Sequence, residues 1–515
     1  MVEDSTAEGD FGILEMDLLS NLSLAFSVIF QPNNLLFCFI GCVIGTLIGV
    51  LPGIGPVATI SLLLPSTFRM SPVSGIIMLA GIYYGAMYGG SITSILVNIP
   101  GESASVVTCL DGYQMARQGR AGPALGISAF GSFIAGTVAT ILIMLVAPPL
   151  AKLALKFGPP EYFSLMFLGL TLLIYLASGS MIKALIMACV GIFFGTIGTD
   201  TISGIERFTY RSYTLMDGIG LIPVIMGLFG ISEVLLNIDE ASKQEIYKTR
   251  ISNLLPTLRD WKDSVLSIIR GTFIGFFLGI LPGGGATIAS FGAYAVEKRV
   301  SKHPEKFGSG AIEGVAAPES ANNAASQASF IPLLTLGIPA NVVMAILLGA
   351  LMIYNIKPGP LLIKNHPDLF WGVVGSMYIG NVMLLILNIP LIGIWVKILK
   401  VPYPILFPLI LLFCLIGVYS VNNNMVEIVI MLIFGIVGYL LKKFKYEAAP
   451  LILAFVLSPL IEIALRQSLL MSHGSFSIFF TRPISLILMA VAILLLVLPL
   501  IPGLKRPPKT EEDIS

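Results

Sequence analysis

Charge is scarce along this chain. Only 11% of its 515 residues are Asp, Glu, Lys or Arg, against about 25% in a soluble domain. A water-soluble chain of this length could not cover its own surface with so few. Basic residues are missing from the start: no Lys or Arg precedes Arg69. The opening is instead acidic, with Glu3, Asp4, Glu8 and Asp10, so it does not read as a cleaved leader, which needs a basic n-region. Histidine is reduced to His303, His366 and His473, which form no catalytic group. The five cysteines lie in or beside apolar segments without CxxC or Cys/His spacing, which gives no case for a metal and little for disulfides. No GxxxxGK[ST] loop or HExxH motif is present, and no Ser/His pair or paired acids fall in the apolar segments. ATP-driven transport and an intramembrane enzyme are therefore not expected. A net charge of +1 leaves no reason for a nucleic-acid partner.

What the chain has is apolar length. Runs recur at 124–150, 162–177 with 181–198, 372–396, 404–421, 425–441 and 484–502. Each is long enough to cross a hydrocarbon core of about 30 Å. Solid runs, rather than period-two alternation, point to helices and away from a β-barrel. The expected class is all-α: a polytopic helical integral membrane protein in a lipid bilayer.

Two stretches are written nearly alike. Gly41-Cys42-Val43-Ile44-Gly45 through Leu51-Pro52-Gly53-Ile54-Gly55 is answered by Gly271-Thr272-Phe273-Ile274-Gly275 through Leu281-Pro282-Gly283-Gly284-Gly285, with every Gly of the first matched at an offset of 230. Gly191 pairs with Gly435 at an offset of 244, and Pro223 with Pro450 more weakly. The reading that follows is an acidic or amphipathic segment 1–33, repeat one at 34–237, a basic cytoplasmic linker 238–263, repeat two at 264–466, and an extra helix and basic tail in 467–515. Acids flank the start of repeat one, while Lys243, Lys248, Arg250, Arg259 and Lys262 precede repeat two. Cytoplasmic loops are enriched in Lys and Arg. The repeats should therefore be inverted, with the N-terminus outside and the C-terminus cytoplasmic. Lys298, Arg299, Lys302 and Lys306 follow the second Pro-Gly break, so the chain is expected to enter, turn and return to the same face.

Two further stretches are polar within apolar surroundings: 84–105, and 313–327 continuing to 341. Asn98-Ile99-Pro100-Gly101-Glu102 aligns with Gly337-Ile338-Pro339-Ala340-Asn341 at an offset of 239. Each half thus carries two breaks. Pro breaks free backbone groups, and a half-helix beginning there aims its N–H groups inward, a seat for an anion that needs no basic side chain. The candidate substrate and ion site is Gly53, Gly55, Ser91, Ser94, Asn98, Pro100, Gly101, Glu102 and Ser103 with Gly283, Gly284, Gly285, Glu319, Ser320, Asn322, Asn323, Gln327, Gly337, Pro339 and Asn341. No cofactor is expected beyond a coupling ion, Na⁺ or H⁺. Any single Gly or Ser here reads first as helix packing. Glu102 and Glu319 read either as functional acids or as helix N-terminal carboxylates. Asp111, Arg117 and Arg120 read as a surface helix or loop.

Leu51-Pro52-Gly53-Ile54-Gly55-Pro56, Asn98–Glu102, Leu110-Asp111-Gly112-Tyr113-Gln114-Met115-Ala116, Ala317-Pro318-Glu319-Ser320-Ala321-Asn322-Asn323-Ala324 and Gly337-Ile338-Pro339 together resemble the large membrane subunit of the tripartite tricarboxylate transporters. The likeness spans roughly residues 16–500. One departure is Ala340-Asn341, where the family pattern has Gly then Ser. The resemblance implies an inner-membrane subunit that works with a small membrane subunit and an extracytoplasmic solute-binding protein. It implies import of a carboxylate substrate, citrate-like in the archetype, by ion symport. A channel or an exporter of small organic anions is the alternative.

Overall fold

A computed structural model describes residues 18–51, 55–176, 180–200, 202–239, 254–283, 285–398 and 403–498. Gly53 and Gly284 of the two Pro-Gly motifs, and 240–253 of the basic linker, lie outside the described residues. The longer helices are α1 Leu18–Ile29, α2 Pro32–Val50, α3 Gly55–Thr67, α4 Pro72–Val97, α5 Ala121–Ala154, α6 Pro159–Leu176 and α7 Met181–Gly195. Next comes α8, which runs Leu221–Ile225, passes through a π-turn at Met226–Ile231 and ends with Ser232–Asp239. The second half holds α9 Leu258–Ile280, α10 Gly285–Val300, α11 Glu313–Ala328, α12 Phe330–Leu336, α13 Val342–Ile353, α14 Pro367–Asn388 and α15 Ile392–Ile398. Last are α16 Tyr403–Asn422, α17 Met425–Lys443, α18 Ala449–Met471 and α19 Pro483–Val497.

The chain is a polytopic helical membrane protein. Among the described residues, seven helices (α2, α4, α5, α9, α14, α17 and α18) are long and apolar enough to cross a bilayer. The expected run 372–396 is divided, because Pro390 between α14 and α15 has no N–H to continue the helix. Helix α4 does not announce itself as an apolar run, since Gly, Ser, Thr and Tyr interrupt it, yet the membrane-length stretch of it is wholly buried.

The chain divides into two compact units, residues 1–155 with 219–448 and residues 156–218 with 449–515. Each draws helices from both halves of the sequence. In the first unit the repeated glycines do the same thing twice. A Cβ at Gly41, Gly45 or Gly49 of α2 would stand 2.4 Å from Met78 O, Ile82 O or Ala86 O of α4. A Cβ at Gly271, Gly275 or Gly279 of α9 would stand 2.3, 2.2 or 2.5 Å from Ala317 O, Ala321 O or Ala325 O of α11. Backbone meets backbone in both pairs, which is how helices associate where lipid removes the hydrophobic drive. The other face of α9 exposes Leu266, Ile269, Phe273 and Phe277, an apolar stripe at helical spacing suited to acyl chains.

The register of these contacts also fixes chain direction. Helices α2 and α4 run parallel, as do α9 and α11, since in each pair contacts advance together. Helix α5 runs with α11: Gly131 meets Ser320 and Gly136 meets Gln327. Helix α14 runs with α2, because Cys38 reaches Ser376 O and Cys42 reaches Gly380 O. Helices α5 and α14 oppose one another, with Gly136 at Asn381 and Met144 at Tyr378. The pair α2–α4 therefore points opposite to the pair α9–α11.

Gly191 and Gly435 share a role as well. Gly191 of α7 would place a Cβ 2.2 Å from Leu451 O of α18, within the second unit. Gly435 of α17 would place one 2.5 Å from Ile231 Cγ2 of α8, within the first. In each unit a helix of one half packs on the closing helix of the other. The second unit also carries an ion network around a cavity of about 340 Å³. There Asp200 accepts from Arg466 at 2.8 Å and Arg207 at 2.7 Å, and Arg207 reaches Glu462 at 2.9 Å. The Ser203 hydroxyl and Arg466 hold the Asp200 carboxyl well below the usual carboxylate range.

Replacing Gly45 by Ala forces a methyl onto the Ile82 carbonyl and costs about 1–3 kcal/mol. Gly393, with nothing within 4 Å of a built Cβ, is the control. Detergent-solubilised Gly45→Ala should melt well below wild type while Gly393→Ala does not; equal melting temperatures would refute the packing role.

Candidate functional site

The two second breaks have the same backbone. Helix α4 ends on Asn98 at φ 58° and ψ 29°, and α12 ends on Gly337 at φ 71° and ψ 22°. Pro100 and Pro339 follow and offer no N–H. Glu102 (φ −151°, ψ 166°) and Asn341 (φ −153°, ψ 179°) are then extended and cap the next turns. Glu102 Oε2 accepts from Ala104 N–H at 2.8 Å, and Asn341 Oδ1 from Met344 N–H at 3.0 Å. At the first breaks, α3 and α10 start on Gly55 (φ 65°) and Gly285 (φ 56°), a left-handed setting suited to glycine.

The four breaks meet. Gly283 N–H donates to Ala340 O at 2.8 Å, joining both breaks of the second half. In the first half, a Cβ on Gly101 would stand 1.9 Å from Gly49 O. Across the halves, Ser103 Oγ lies 2.9 Å from Thr287 Oγ1 of α10, and Asn341 Nδ2 donates to Tyr83 Oη of α4 at 3.2 Å.

Beside the breaks runs a layer of buried polar side chains centred on α11. Glu319, Ser320, Asn322, Asn323 and Gln327 are all 0% exposed. Glu319 Oε2 accepts from Ser91 Oγ at 2.5 Å, and Oε1 accepts from Thr108 Oγ1. Asn322 Nδ2 points at Glu102 Oε1, 3.5 Å away. Asn323 Nδ2 donates to Ser132 Oγ at 2.7 Å. Gln327 accepts from Thr140 Oγ1 at 2.7 Å and donates to Asn381 Oδ1 at 3.1 Å. Tyr88 Oη, Ser320 Oγ, Asn322 Oδ1, Asn323 Oδ1 and Asn381 Nδ2 have no hydrogen-bond partner among the described residues. A polar atom left so costs about 1–3 kcal/mol. No Lys, Arg or His among the described residues bonds either carboxyl group. The layer thus holds two acids without a basic partner, and free hydrogen-bonding atoms, next to the ends of broken helices. Such a place can take an anion on peptide N–H groups and a cation on oxygen.

Not every expected lining residue joins it. Asn98 is exposed and serves the turn. Ser94 Oγ donates to Gly90 O of its own helix at 3.0 Å. Gly337 packs near Pro358 O, and Gly53 and Gly284 lie outside the described residues. The added members are Tyr83, Tyr88, Thr108, Ser128, Ser132, Thr140 and Asn381. Asn381 had a signal in the sequence, an amide in the middle of an apolar run; the hydroxyls had none.

Asp111 departs from its surface reading. It is 0% exposed, because the loop before α11 folds over it. Its Oδ1 accepts from the N–H groups of Gly308, Gly310 and Ala311 at 2.8–2.9 Å, and Oδ2 from Tyr294 Oη at 2.9 Å. Burial pushes this carboxyl up, and the N–H groups oppose that. Asp111 ties the loop after α4 to the loop before α11. Of its neighbours, Arg120 pairs with Asp260 at 2.6 Å and Arg117 is exposed. Asp111→Ala strands three N–H donors, at about 1–3 kcal/mol for each that stays buried. The purified variant should lose thermal stability and gain proteolysis at 308–311; unaltered cleavage would contradict the tie.

Residues 35–453 match the tripartite tricarboxylate transporter TctA family. A relative from Agrobacterium vitis, an uncharacterized 52.8 kDa protein in the TAR-I ttuC' 3' region, is 54% identical over 490 residues, covering 95% of this chain and 98% of its own. A second from the same organism, an uncharacterized protein in the TAR-II ttuC' 3' region, is 53% identical over 231 residues, covering 45% of this chain and 96% of its own. No solved structure matches. The chain belongs to the tripartite tricarboxylate transporter TctA family, whose members are large membrane subunits.

Proposed function

We propose that this subunit imports a carboxylate through the polar layer, using an ion gradient, after delivery by an extracytoplasmic solute-binding protein and in company with a small membrane subunit. The observation that supports it most is the meeting of four helix breaks, two from each half, beside buried polar atoms that lack partners. Backbone of this kind at membrane depth is tolerated only inside protein or along a wet cavity. The substrate carboxylate would sit on the N–H groups at the starts of α3, α10 and α13, with Asn322, Asn323 and Asn341 fixing its orientation. The repeats at 34–237 and 264–466, inverted about this layer, would then supply the two faces of an alternating-access carrier. The proposed orientation puts the N-terminus outside and the basic linker inside. A cysteine placed within 243–262 should be labelled from the cytoplasmic side alone, and labelling from outside would reverse the assignment.

Proteoliposomes holding both membrane subunits, supplied with the binding protein and a panel of labelled citrate, malate and succinate, test the proposal. Uptake should saturate and should collapse when the ion gradients are abolished. Asn322→Ala should abolish uptake yet insert normally. Non-saturating flux independent of any gradient would favour a channel, and normal uptake by Asn322→Ala would remove that residue from the site.

A further inference from the structure

Resting on that transport reading, we propose that the coupling ion is a proton and that Glu319 carries it across the membrane. The two buried acids differ in what holds them. Glu102 receives N–H groups, from Ala104 at 2.8 Å and from the Asn322 amide at 3.5 Å. An N–H can only donate, so Glu102 Oε2 is held as an acceptor and serves as a cap. Glu319 receives only hydroxyls: Ser91 at 2.5 Å, Thr108, and Ser128 within reach. A hydroxyl can donate to a carboxylate or accept from a carboxylic acid.

Ser91 makes that reversal possible with one bond rotation. Its single hydrogen has two acceptors, Glu319 Oε2 at 2.5 Å and Met87 O at 3.2 Å. With Glu319 ionised, the hydroxyl donates to Oε2. With Oε2 protonated, the acid donates to Ser91 Oγ and the serine hydrogen turns to Met87 O. Both protonation states are satisfied with the backbone unmoved. A proton from the outer solution forms an O–H bond at Oε2, and that bond breaks to the inner solution; no other bond changes.

The surroundings leave the charge to the proton. The titratable groups nearest Glu319 are Glu102, Tyr88 and Cys109, none of them basic. On α4 the other phenols are Tyr83, bonded by Asn341, and Tyr84, bonded to Ser376. On α9, Arg270 is taken by Glu297 of α10 at 2.6 Å and Asp260 by Arg120, while Arg259, Lys262 and Asp263 are exposed. On α10, Lys298 and Arg299 are exposed and Tyr294 bonds Asp111. Asp111 is held by the loop at 308–311, and Arg117 is exposed. Glu313 begins α11 and Lys152 ends α5, each nearly two helical turns or more from the residues that touch Glu319. A bare carboxylate at membrane depth costs at least about 2.5 kcal/mol, so neutralisation falls to a mobile ion. A metal cation shared by Glu319 and Ser91 would stand between oxygens already in hydrogen-bond contact.

The same proteoliposomes separate the possibilities, with pH and sodium gradients imposed one at a time and citrate, malate and succinate as probes. An inside-alkaline pH gradient without sodium should drive accumulation, and a sodium gradient at equal pH should not. Glu319→Gln should lose gradient-driven accumulation, and its residual carboxylate exchange should become insensitive to pH. Ser91→Ala, which removes the hydroxyl that switches partners, should slow gradient-driven accumulation and shift its pH profile. Accumulation driven by sodium alone overturns the proton assignment and leaves the carrier reading intact. Normal accumulation by Glu319→Gln, or wild-type pH profiles in both variants, also overturns it. Absence of uptake for every carboxylate under both gradients overturns the carrier reading itself.

Discussion

In hydrocarbon, every backbone N–H and C=O must find a partner within the protein, and this chain gathers four of its helix breaks in one unit. That constraint organises the rest. The interrupted ends are satisfied by one another, as Gly283 is by Ala340 O, and by caps such as Glu102 and Asn341. They must therefore be close, and closeness demands helices without bulk between them. The glycines of α2 and α9 provide it by placing backbone against the carbonyls of α4 and α11. The glycine stripe and the broken helices are thus one device: the first brings the backbones together and the second uses the space.

Duplication gives the device two sides. Two pairs of residues aligned at an offset of 239, Asn98 with Gly337 and Glu102 with Asn341, share backbone angles to within about 15°. The side chains, by contrast, have diverged. Glu102 is an acid where Asn341 is an amide, and the Ser91–Thr108–Glu319 cluster joins residues of different halves. Symmetric backbone with asymmetric side chains suits the proposed carrier, whose geometry would serve two access states while its chemistry would select one solute and one ion.

Much of this was legible in the residues, and what was not has a physical reason. The Gly and Pro pattern of 41–55 and 271–285 announced the paired breaks, because only close approach and helix termination require those residue types at that spacing. Glu319 and Asn322-Asn323 stood out because polar groups are costly in apolar surroundings. Helix α4 was hidden by its own function: the Gly, Ser and Tyr that let it line the site lower its hydropathy. Thr108, Ser128 and Ser132 were illegible because hydroxyls are ordinary in membrane helices, and only three-dimensional placement marks them. Asp111 was misplaced at the surface since nothing in its neighbours shows that residues 308–311 fold over it. The exchange of closing helices between halves was equally hidden, as the equivalence of Gly191 and Gly435 says nothing of which helix each one meets.

The most direct test of the central claim is solvent access to the breaks in the absence of any transport measurement. Single cysteines at Ser103 and Asn341, in a background lacking Cys38, Cys42, Cys109, Cys189 and Cys414, would be labelled with a water-soluble maleimide in proteoliposomes with and without citrate, malate and succinate. If the four breaks line one polar chamber that seats the solute, both positions react and the transported carboxylate protects both. Positions that react only with lipid-soluble reagents, or that no carboxylate protects, would contradict it.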